Sequence, residues 1–294
     1  MNELAARRLQ AEVNRRVAEH IPPDGWKATV AIVIANRPAV HLLGTGSLFE
    51  IGGYHFVVTA AHIIDAAHVY DKTIGISDGS KGFISVHGNW IKFAPTQQGG
   101  KRDPFDIAIY ELPAYAVARL KGKRFLRRED IDFHEQSGTA VFSLFGFPGM
   151  WAMPSCSAEE SVSVKALEYT TYAYAGSTES MLGYDAKYHL LIDSTPRDMT
   201  ESDGSQAVLV RRDGQLATMP RDLKGISGCA VWAVADLRVP FERWGEKHPK
   251  VVAVETGIYQ ESHVIRTTRW VAVTTLIHEA FPALRPALEL WIPD

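Results

Sequence analysis

Three residues of the sequence have the types and the order that acyl-transfer chemistry needs: His62, Asp106 and Ser227. A serine hydroxyl is a weak nucleophile until a neighbouring base takes its proton, and histidine is the commonest such base. A carboxylate on the other side of the imidazole fixes its tautomer and stabilises the imidazolium that forms. The sequence therefore predicts a serine nucleophile, a histidine base and an aspartate that orients the histidine.

The histidine and the aspartate each lie at one end of an apolar run. His62 follows the run 56–61, whose last residues are small and allow a tight turn. Asp106 opens the apolar run 107–109, and Asp103 is the alternative acid, although it precedes a proline and is expected in the turn. Either residue alone is more often structural than catalytic, so the hypothesis depends on the combination.

The serine lies in the segment Gly225-Ile226-Ser227-Gly228, which is followed by an apolar strand. Glycines on both sides of a serine permit a backbone in which amide hydrogens point toward the same place as the hydroxyl. We expect the amides of Gly225 and Ser227 to form an oxyanion hole, which stabilises the tetrahedral intermediate of acyl transfer. The alternative for this short motif is a plain turn.

The elements that must position these residues are predominantly β-strands. Short β-rich runs, separated by clusters of Gly, Pro, Asn and Asp, are typical of an all-β barrel or sandwich. We predict an N-terminal amphipathic helix over 1–25, a first β-barrel over 26–120, a charged linker over 121–136, a second β-barrel over 137–276 and a C-terminal helical segment over 277–294. The run 270–276 is interpreted as the last strand. His62 and Asp106 then belong to the first barrel and Ser227 to the second, so the site is expected between them.

Composition excludes several classes of function. Of the 294 residues, 46% are hydrophobic and 22% charged, and the net charge of −3 offers no basic field for nucleic acid or an anionic membrane. No apolar run reaches the roughly 20 residues that a membrane span needs. There are two cysteines, Cys156 and Cys229, which favours a reducing compartment and a cytoplasmic location.

Other chemistries lack their motifs. An α/β-hydrolase requires the order Ser, Asp, His and a glycine two residues after the serine, where this chain has Cys229. No zinc-binding pair and no phosphate-binding loop of the Walker type is present. We therefore expect neither a metal nor a nucleotide cofactor.

Several motifs together resemble the trypsin-like (chymotrypsin-fold) serine peptidases, in particular their disulfide-poor bacterial members. The resemblance covers about residues 28 to 277 and rests on the segments 44–49, 58–62, 106–109, 146–149, 225–228 and 251–254. It implies two six-stranded barrels, His62 as the base, Asp106 as its orienting acid, Ser227 as the nucleophile, and the Gly225 and Ser227 amides as the oxyanion hole. The gaps of 44 and 121 residues between the three compare with about 45 and 93 in chymotrypsin itself, so an insertion is expected in the second barrel.

The chain departs from the family pattern around the serine. Ile226 stands where the family usually has an acidic or amide residue, so activation by a freshly cut N-terminus of the trypsin type is not expected. Cys229, which begins an apolar strand, is expected to be a small core residue. In the family, the residue six positions before the nucleophile often sets the charge of the specificity pocket, which makes Arg221 and its neighbour Asp222 the candidates here. Because the expected insertion leaves this register open, we predict no preferred substrate residue.

The expected activity is therefore endopeptidase cleavage of a protein or peptide substrate. Two alternatives stay open. The chain could be a non-catalytic binding module of the same fold, or a peptidase effector that is inactive until a regulatory protein partner binds it.

Overall fold

Two antiparallel β-sheets make up most of the structure, which is a computed structural model. It describes residues 12–13, 15–17, 19, 24–36, 39–69, 73–78, 82–93, 104–149, 152–154, 162–164, 166–194, 208–210, 216–218, 223–244 and 248–291.

The first sheet contains seven strands in the order β5-β4-β1-β2-β3-β7-β6. They are β1 (Thr29–Asn36), β2 (Ala39–Ile51), β3 (Tyr54–Ala60), β4 (Thr73–Ser77), β5 (Phe83–Val86), β6 (Ile91–Lys92) and β7 (Ile107–Glu111). The end of β3 is fully buried and pairs with β7, so that Ala60 lies opposite Ile107. This pairing brings the residues that follow β3 next to those that precede β7.

The second sheet contains six strands in the order β11-β8-β15-β16-β17-β12. They are β8 (Ala140–Gly146), β11 (Leu167–Tyr172), β12 (His189–Asp193), β15 (Ala230–Asp236), β16 (Lys250–Tyr259) and β17 (Val264–Arg269). An antiparallel bridge between Ala173 and Ile192 joins its two outermost strands and closes the ring. The predicted all-β, two-barrel architecture is confirmed, although the first sheet has seven strands instead of six.

The other elements are short. They are the strand pairs β9 (Met153–Pro154) with β10 (Val162–Ser163) and β13 (Val208–Val210) with β14 (Leu216–Thr218), and the helices α1 (Asp24–Lys27), α2 (Ala61–Val69), α3 (Ala114–Arg119), α4 (Trp270–Ala280) and α5 (Arg285–Glu289). None of the helices in the described ranges is long and apolar enough to cross a membrane.

The C-terminal helical segment begins earlier than predicted. Helix α4 starts at Trp270, and the run 270–276, interpreted above as a strand, forms its first two turns. The run is rich in β-branched residues, which favour strands. Burial of one face, however, stabilises such residues in a helix as well. Trp270 and Val273 are buried against the barrels.

One hydrophobic cluster is shared by the two sheets and by both ends of the chain. It includes Phe49 and Phe56 of the first sheet, Trp232 of the second and Trp270 of α4. The described residues between 12 and 19 are helical, and Val13 and Val17 are buried in this cluster. The remaining apolar residues of the predicted amphipathic helix lie outside the described residues.

The charged segment 121–136 contacts both sheets. Leu126 donates its amide hydrogen to Leu48 and accepts one from Glu50, both in β2. Asp132 donates to the carbonyl of Val251 in β16 at 2.9 Å. These hydrogen bonds fasten the segment to each sheet.

Candidate active site

His62 is positioned at the junction of β3 and α2. The small residues Ala60 and Ala61 allow the chain to turn directly from strand to helix. The side chain of His62 is 41% exposed, and the Nδ1 edge of its ring points to Asp106. A residue at this junction is fixed by the backbone on both sides.

Asp106 holds both the backbone and the ring of His62. Its Oδ1 accepts a hydrogen bond from the His62 amide at 2.8 Å, and its Oδ2 lies 2.8 Å from His62 Nδ1. The Asp106 carbonyl also accepts a hydrogen bond from the Ala61 amide at 2.9 Å. The predicted contact between histidine and aspartate is therefore present in the structure. Asp103, the alternative acid, lies outside the described residues.

The backbone of Asp106 adopts a left-handed conformation, with φ of +52°. This conformation disfavours side chains other than glycine, although Asp and Asn tolerate it better than most. The hydrogen bonds to Ala61 and His62 stabilise it. An unusual backbone conformation supported in this way is typical of functional sites.

Two residues of the second barrel form hydrogen bonds with the loop that carries Asp106. Thr268 Oγ1 of β17 donates to the Phe105 carbonyl at 2.6 Å, and His189 Nε2 of β12 lies 2.9 Å from the Pro104 carbonyl oxygen. Burial lowers the pKa of His189, so a neutral ring can donate this hydrogen bond. The loop that carries Asp106 is thus held by contacts from both barrels.

Ser227 lies in a turn between two glycines with positive φ, +98° for Gly225 and +91° for Gly228. A Cβ at Gly228 would lie 2.0 Å from the Thr45 carbonyl oxygen, so only glycine fits there. Thr45 binds the turn twice, through its amide to the Ser227 carbonyl at 2.9 Å and through its hydroxyl to the Gly225 carbonyl at 2.8 Å. The first barrel therefore fixes the turn that carries the serine.

Three of the five amides from Gly225 to Cys229 donate within the fold, and that of Gly228 donates to the Glu255 carbonyl at 2.8 Å. Ile226 and Cys229 donate to Leu223 and Ile226 carbonyls respectively. Within the described part of the chain, the amides of Gly225 and Ser227 donate to no backbone carbonyl. They are the two donors that were predicted to form an oxyanion hole.

Gly44 of β2 lies between the two halves of the site. A Cβ at this position would meet the side chain of Ile63 at 3.0 Å and the carbonyl oxygen of Ser227 at 3.1 Å. Ile63 is the residue after His62, so the glycine lets the serine turn approach the histidine. Among the described residues, however, the structure contains no hydrogen bond between Ser227 Oγ and His62 Nε2.

Two charged residues at this site were not recognised in the sequence. Glu255 of β16 is fully buried, and Arg266 of β17 has a side chain that is only 18% exposed. Arg266 Nη2 donates to Asp106 Oδ2 and to the Thr256 carbonyl, both at 3.3 Å. Glu255 directly follows the apolar run 251–254, and a carboxylate in a strand that is otherwise buried was the available signal.

Burial and the neighbouring charges shift the pKa values of His62 and Glu255. Burial is the largest influence on the pKa of His62 and lowers it, but the hydrogen bond and charge of Asp106, together with the charge of Glu255, outweigh burial and raise the pKa overall. Burial raises the pKa of Glu255 to about 7, although the charge of His62 and a contact with the Ser227 hydroxyl act in the opposite direction. Arg266 lowers both pKa values.

Three further residues near the serine were considered in the sequence: Cys229 as a core residue, and Arg221 and Asp222 as candidates for a specificity pocket. Cys229 is fully buried, and burial raises the pKa of its thiol, which agrees with a core residue and not a nucleophile. Arg221 and Asp222, the candidates for a specificity pocket, lie outside the described residues.

Comparisons with known proteins give structural similarities only. No family model matches the chain, and no curated protein matches its sequence. The serine protease domain of the Sesbania mosaic virus polyprotein aligns with 15% identity over 84% of this chain and 90% of that chain, with a TM-score of 0.42. A Glu endopeptidase aligns with 12% identity over 89% and 92% and a TM-score of 0.47, and the thermostable serine protease AL20 from an extremophilic microorganism with 10% over 88% and 98% and a TM-score of 0.49. The assignment of a chymotrypsin-like fold rests on the two sheets described above.

Proposed function

We propose that the chain is a serine endopeptidase of the disulfide-poor bacterial type, which cleaves a protein or peptide substrate through an acyl-enzyme on Ser227. His62 acts as general base and then as general acid, and Asp106 orients it. The amides of Gly225 and Ser227 stabilise the oxyanion.

The observation that carries this proposal is the double contact of Asp106 with His62. One carboxylate oxygen binds the backbone amide and the other binds Nδ1, each at 2.8 Å. With Nδ1–H donated to Asp106, the lone pair of the ring is on Nε2, the atom that must receive the serine proton. A histidine that served only in packing would not need its tautomer fixed while its ring stayed 41% exposed.

The reaction uses each of these groups in turn. Ser227 Oγ attacks the carbonyl carbon of the scissile bond while its proton passes to His62 Nε2. The oxyanion that forms accepts the two free amide hydrogens of the serine turn. The imidazolium then gives its proton to the leaving nitrogen, the C–N bond breaks and an ester remains on Ser227. Water, deprotonated by His62, hydrolyses the ester, and Ser227 recovers its proton.

We also propose a cytoplasmic location, which rests on the low cysteine content. The described cysteine, Cys229, is a buried free thiol, and free thiols persist in reducing compartments. Fractionation of the producing cells, followed by detection of the protein, tests this location.

A fluorophosphonate probe tests the activity, because it reacts with serines that are activated as nucleophiles. We expect the wild-type protein to be labelled and Ser227→Ala to lose all labelling. The matched control is Ser180→Ala, which removes an exposed serine of the segment between β11 and β12 and should label normally. Absence of labelling at every pH in correctly folded protein would contradict the proposal and favour a non-catalytic binding module.

A further inference from the structure

The carboxyl group of Glu255 is buried and lacks a well-placed hydrogen-bond partner. The residue has 0% exposure, and neither carboxyl oxygen has a hydrogen bond of good geometry. Buried carboxyls without partners are rare, since the charged form loses its hydration and gains no compensating hydrogen bond. Such a group requires an explanation beyond packing.

The backbone of Glu255 fixes its side chain beside the serine turn. Its carbonyl accepts a hydrogen bond from the Gly228 amide at 2.8 Å, and its amide donates to the Cys229 carbonyl at 2.9 Å. A register shift in the pairing of β16 with β17 follows directly, between Glu255 and Gly257. The turn that carries Ser227 is thus tied to the residue whose carboxyl faces it.

Every element packed around this carboxyl contributes an ionisable group. His62 comes from the start of α2, Asp106 from the loop before β7, Arg266 from β17 and Cys229 from the turn before β15. Arg266 is already bound to Asp106 and to a backbone carbonyl. Glu255 is therefore left to interact with the reacting pair, His62 and Ser227.

We propose that Glu255 is a positioning residue that holds the Ser227–His62 pair in a resting state while it is ionised and releases the pair when it is protonated. This inference rests on the proposed function. As a carboxylate, Glu255 accepts the hydrogen of the Ser227 hydroxyl and stabilises His62 as an imidazolium, which has no lone pair to receive a proton. As a neutral acid it donates its own hydrogen to Ser227 Oγ, and the serine hydrogen is then free to point to His62 Nε2.

The protonation of the site supports two such states near neutral pH. The pKa of Glu255 is raised to about 7, and the pKa of His62 is raised in part by Glu255. One proton shared between these two groups gives either a carboxylate with an imidazolium, which is inactive, or a neutral acid with a neutral imidazole, which is active.

The first test is the pH dependence of fluorophosphonate labelling for the wild type, Glu255→Gln and the control Glu111→Gln, which changes an exposed glutamate of β7. Without the carboxylate, His62 loses a charge that raises its pKa, so the acid limb of the profile should move to lower pH by about one unit. Below the wild-type midpoint this corresponds to labelling about tenfold faster. The control should keep the wild-type profile.

The outcomes separate this inference from the proposed function. Labelling of wild type and Glu255→Gln with the same profile would overturn the role of Glu255 and leave the peptidase intact. Labelling of Glu255→Gln alone would support both. If neither protein is labelled, the proposed function fails, and the titration of His62 by NMR in Ser227→Ala, with and without Glu255→Gln, still decides the inference: an unchanged His62 pKa would overturn it.

Thermal unfolding provides a measurement that needs no activity. Since the folded pKa of Glu255 is raised from its ordinary 4.5 to about 7, the wild type loses stability as the pH rises through that interval. The melting temperature of Glu255→Gln relative to wild type should therefore be higher at pH 8 than at pH 5. A difference that is the same at both pH values would contradict a buried, titrating carboxyl. Glu255→Ser, which removes the charge without burying an amide, serves if the glutamine variant does not fold.

Discussion

The two halves of the site differ in how completely their polar groups are paired. In the half from the first barrel, both oxygens of Asp106 have partners, and His62 is bound through its backbone and its ring. In the half from the second barrel, the carboxyl of Glu255 and Nε of Arg266 are buried without good partners. Within the described residues, the first half of the site has no buried polar side-chain atom without a partner, whereas the second half has three, Oε1 and Oε2 of Glu255 and Nε of Arg266.

The paired half of the site keeps a fixed geometry, and the half with unpaired atoms can respond to a change in protonation. On the proposed function, groups that are already paired keep the geometry that the reaction needs, so His62 and Asp106 require little reorganisation. A buried carboxyl without a good partner, such as that of Glu255, responds to a change in protonation or solvation, because a low dielectric magnifies each interaction. We infer that the first barrel fixes the geometry of the base and that the second barrel sets the state of the nucleophile.

The largest expected effect comes from removing the orienting charge in the satisfied half. Asp106→Asn keeps the side-chain shape and tolerates the left-handed backbone at φ +52°. Its amide can no longer accept a hydrogen from His62 Nδ1 in the required tautomer, so labelling of Ser227 should slow about 10⁴-fold, as for the equivalent change in chymotrypsin-type triads. The measurement is the rate of fluorophosphonate labelling, with thermal unfolding as the check on folding. Labelling within tenfold of the wild-type rate would show that Asp106 does not orient the base.

The next effect tests the turn that carries Ser227, the proposed nucleophile. Gly228→Ala places a Cβ 2.0 Å from the Thr45 carbonyl oxygen in a backbone with φ of +91°, so it should destabilise folding by about 3 to 5 kcal/mol. Gly122→Ala is the matched control, since Gly122 has φ of +84° and open space around its Cβ. The control should cost only the conformational strain, roughly 1 to 2 kcal/mol in denaturant unfolding. Equal costs at both positions would mean that close contact with β2 does not shape the serine turn.

The half that is fully paired is also the half that the sequence predicts best. His62 and Asp106 each adjoin an apolar strand, β3 or β7, and the pairing of these strands brings the two residues together. Local pattern and long-range pairing agree there, so the spacing of the residues was informative. The glycines around Ser227 were similarly informative, because positive φ values are a local requirement that the residue type reveals.

The charges of the second half could not be placed from the sequence. Arg266 reaches Asp106 from β17, a strand 160 residues later in the chain, and no periodicity indicates which strand will face the aspartate. Glu255 in an apolar run would normally predict a surface position or an error in the strand assignment. The same limit applies to α4, since the apolar run from Trp270 suits a buried helix as well as a strand.

The smallest expected effect tests the support that the second barrel gives to the satisfied half. Thr268→Val removes the hydroxyl that binds the Phe105 carbonyl at 2.6 Å, next to Asp106, and leaves the shape of the side chain nearly unchanged. Thr267→Val is the matched control, because Thr267 is equally buried and its hydroxyl binds the Leu190 carbonyl at 2.8 Å. Thr267→Val breaks one buried hydrogen bond and should lose about 1 to 2 kcal/mol of stability. Thr268→Val should lose somewhat more, because it also breaks the bond at 3.2 Å between its hydroxyl and Thr256 Oγ1. Only Thr268→Val should also slow labelling, by roughly three- to tenfold, because a small displacement of the Asp106 loop misaligns His62. Equal labelling rates for the two variants would show that the first barrel holds Asp106 without help from β17, and would make the contrast between the two halves sharper still.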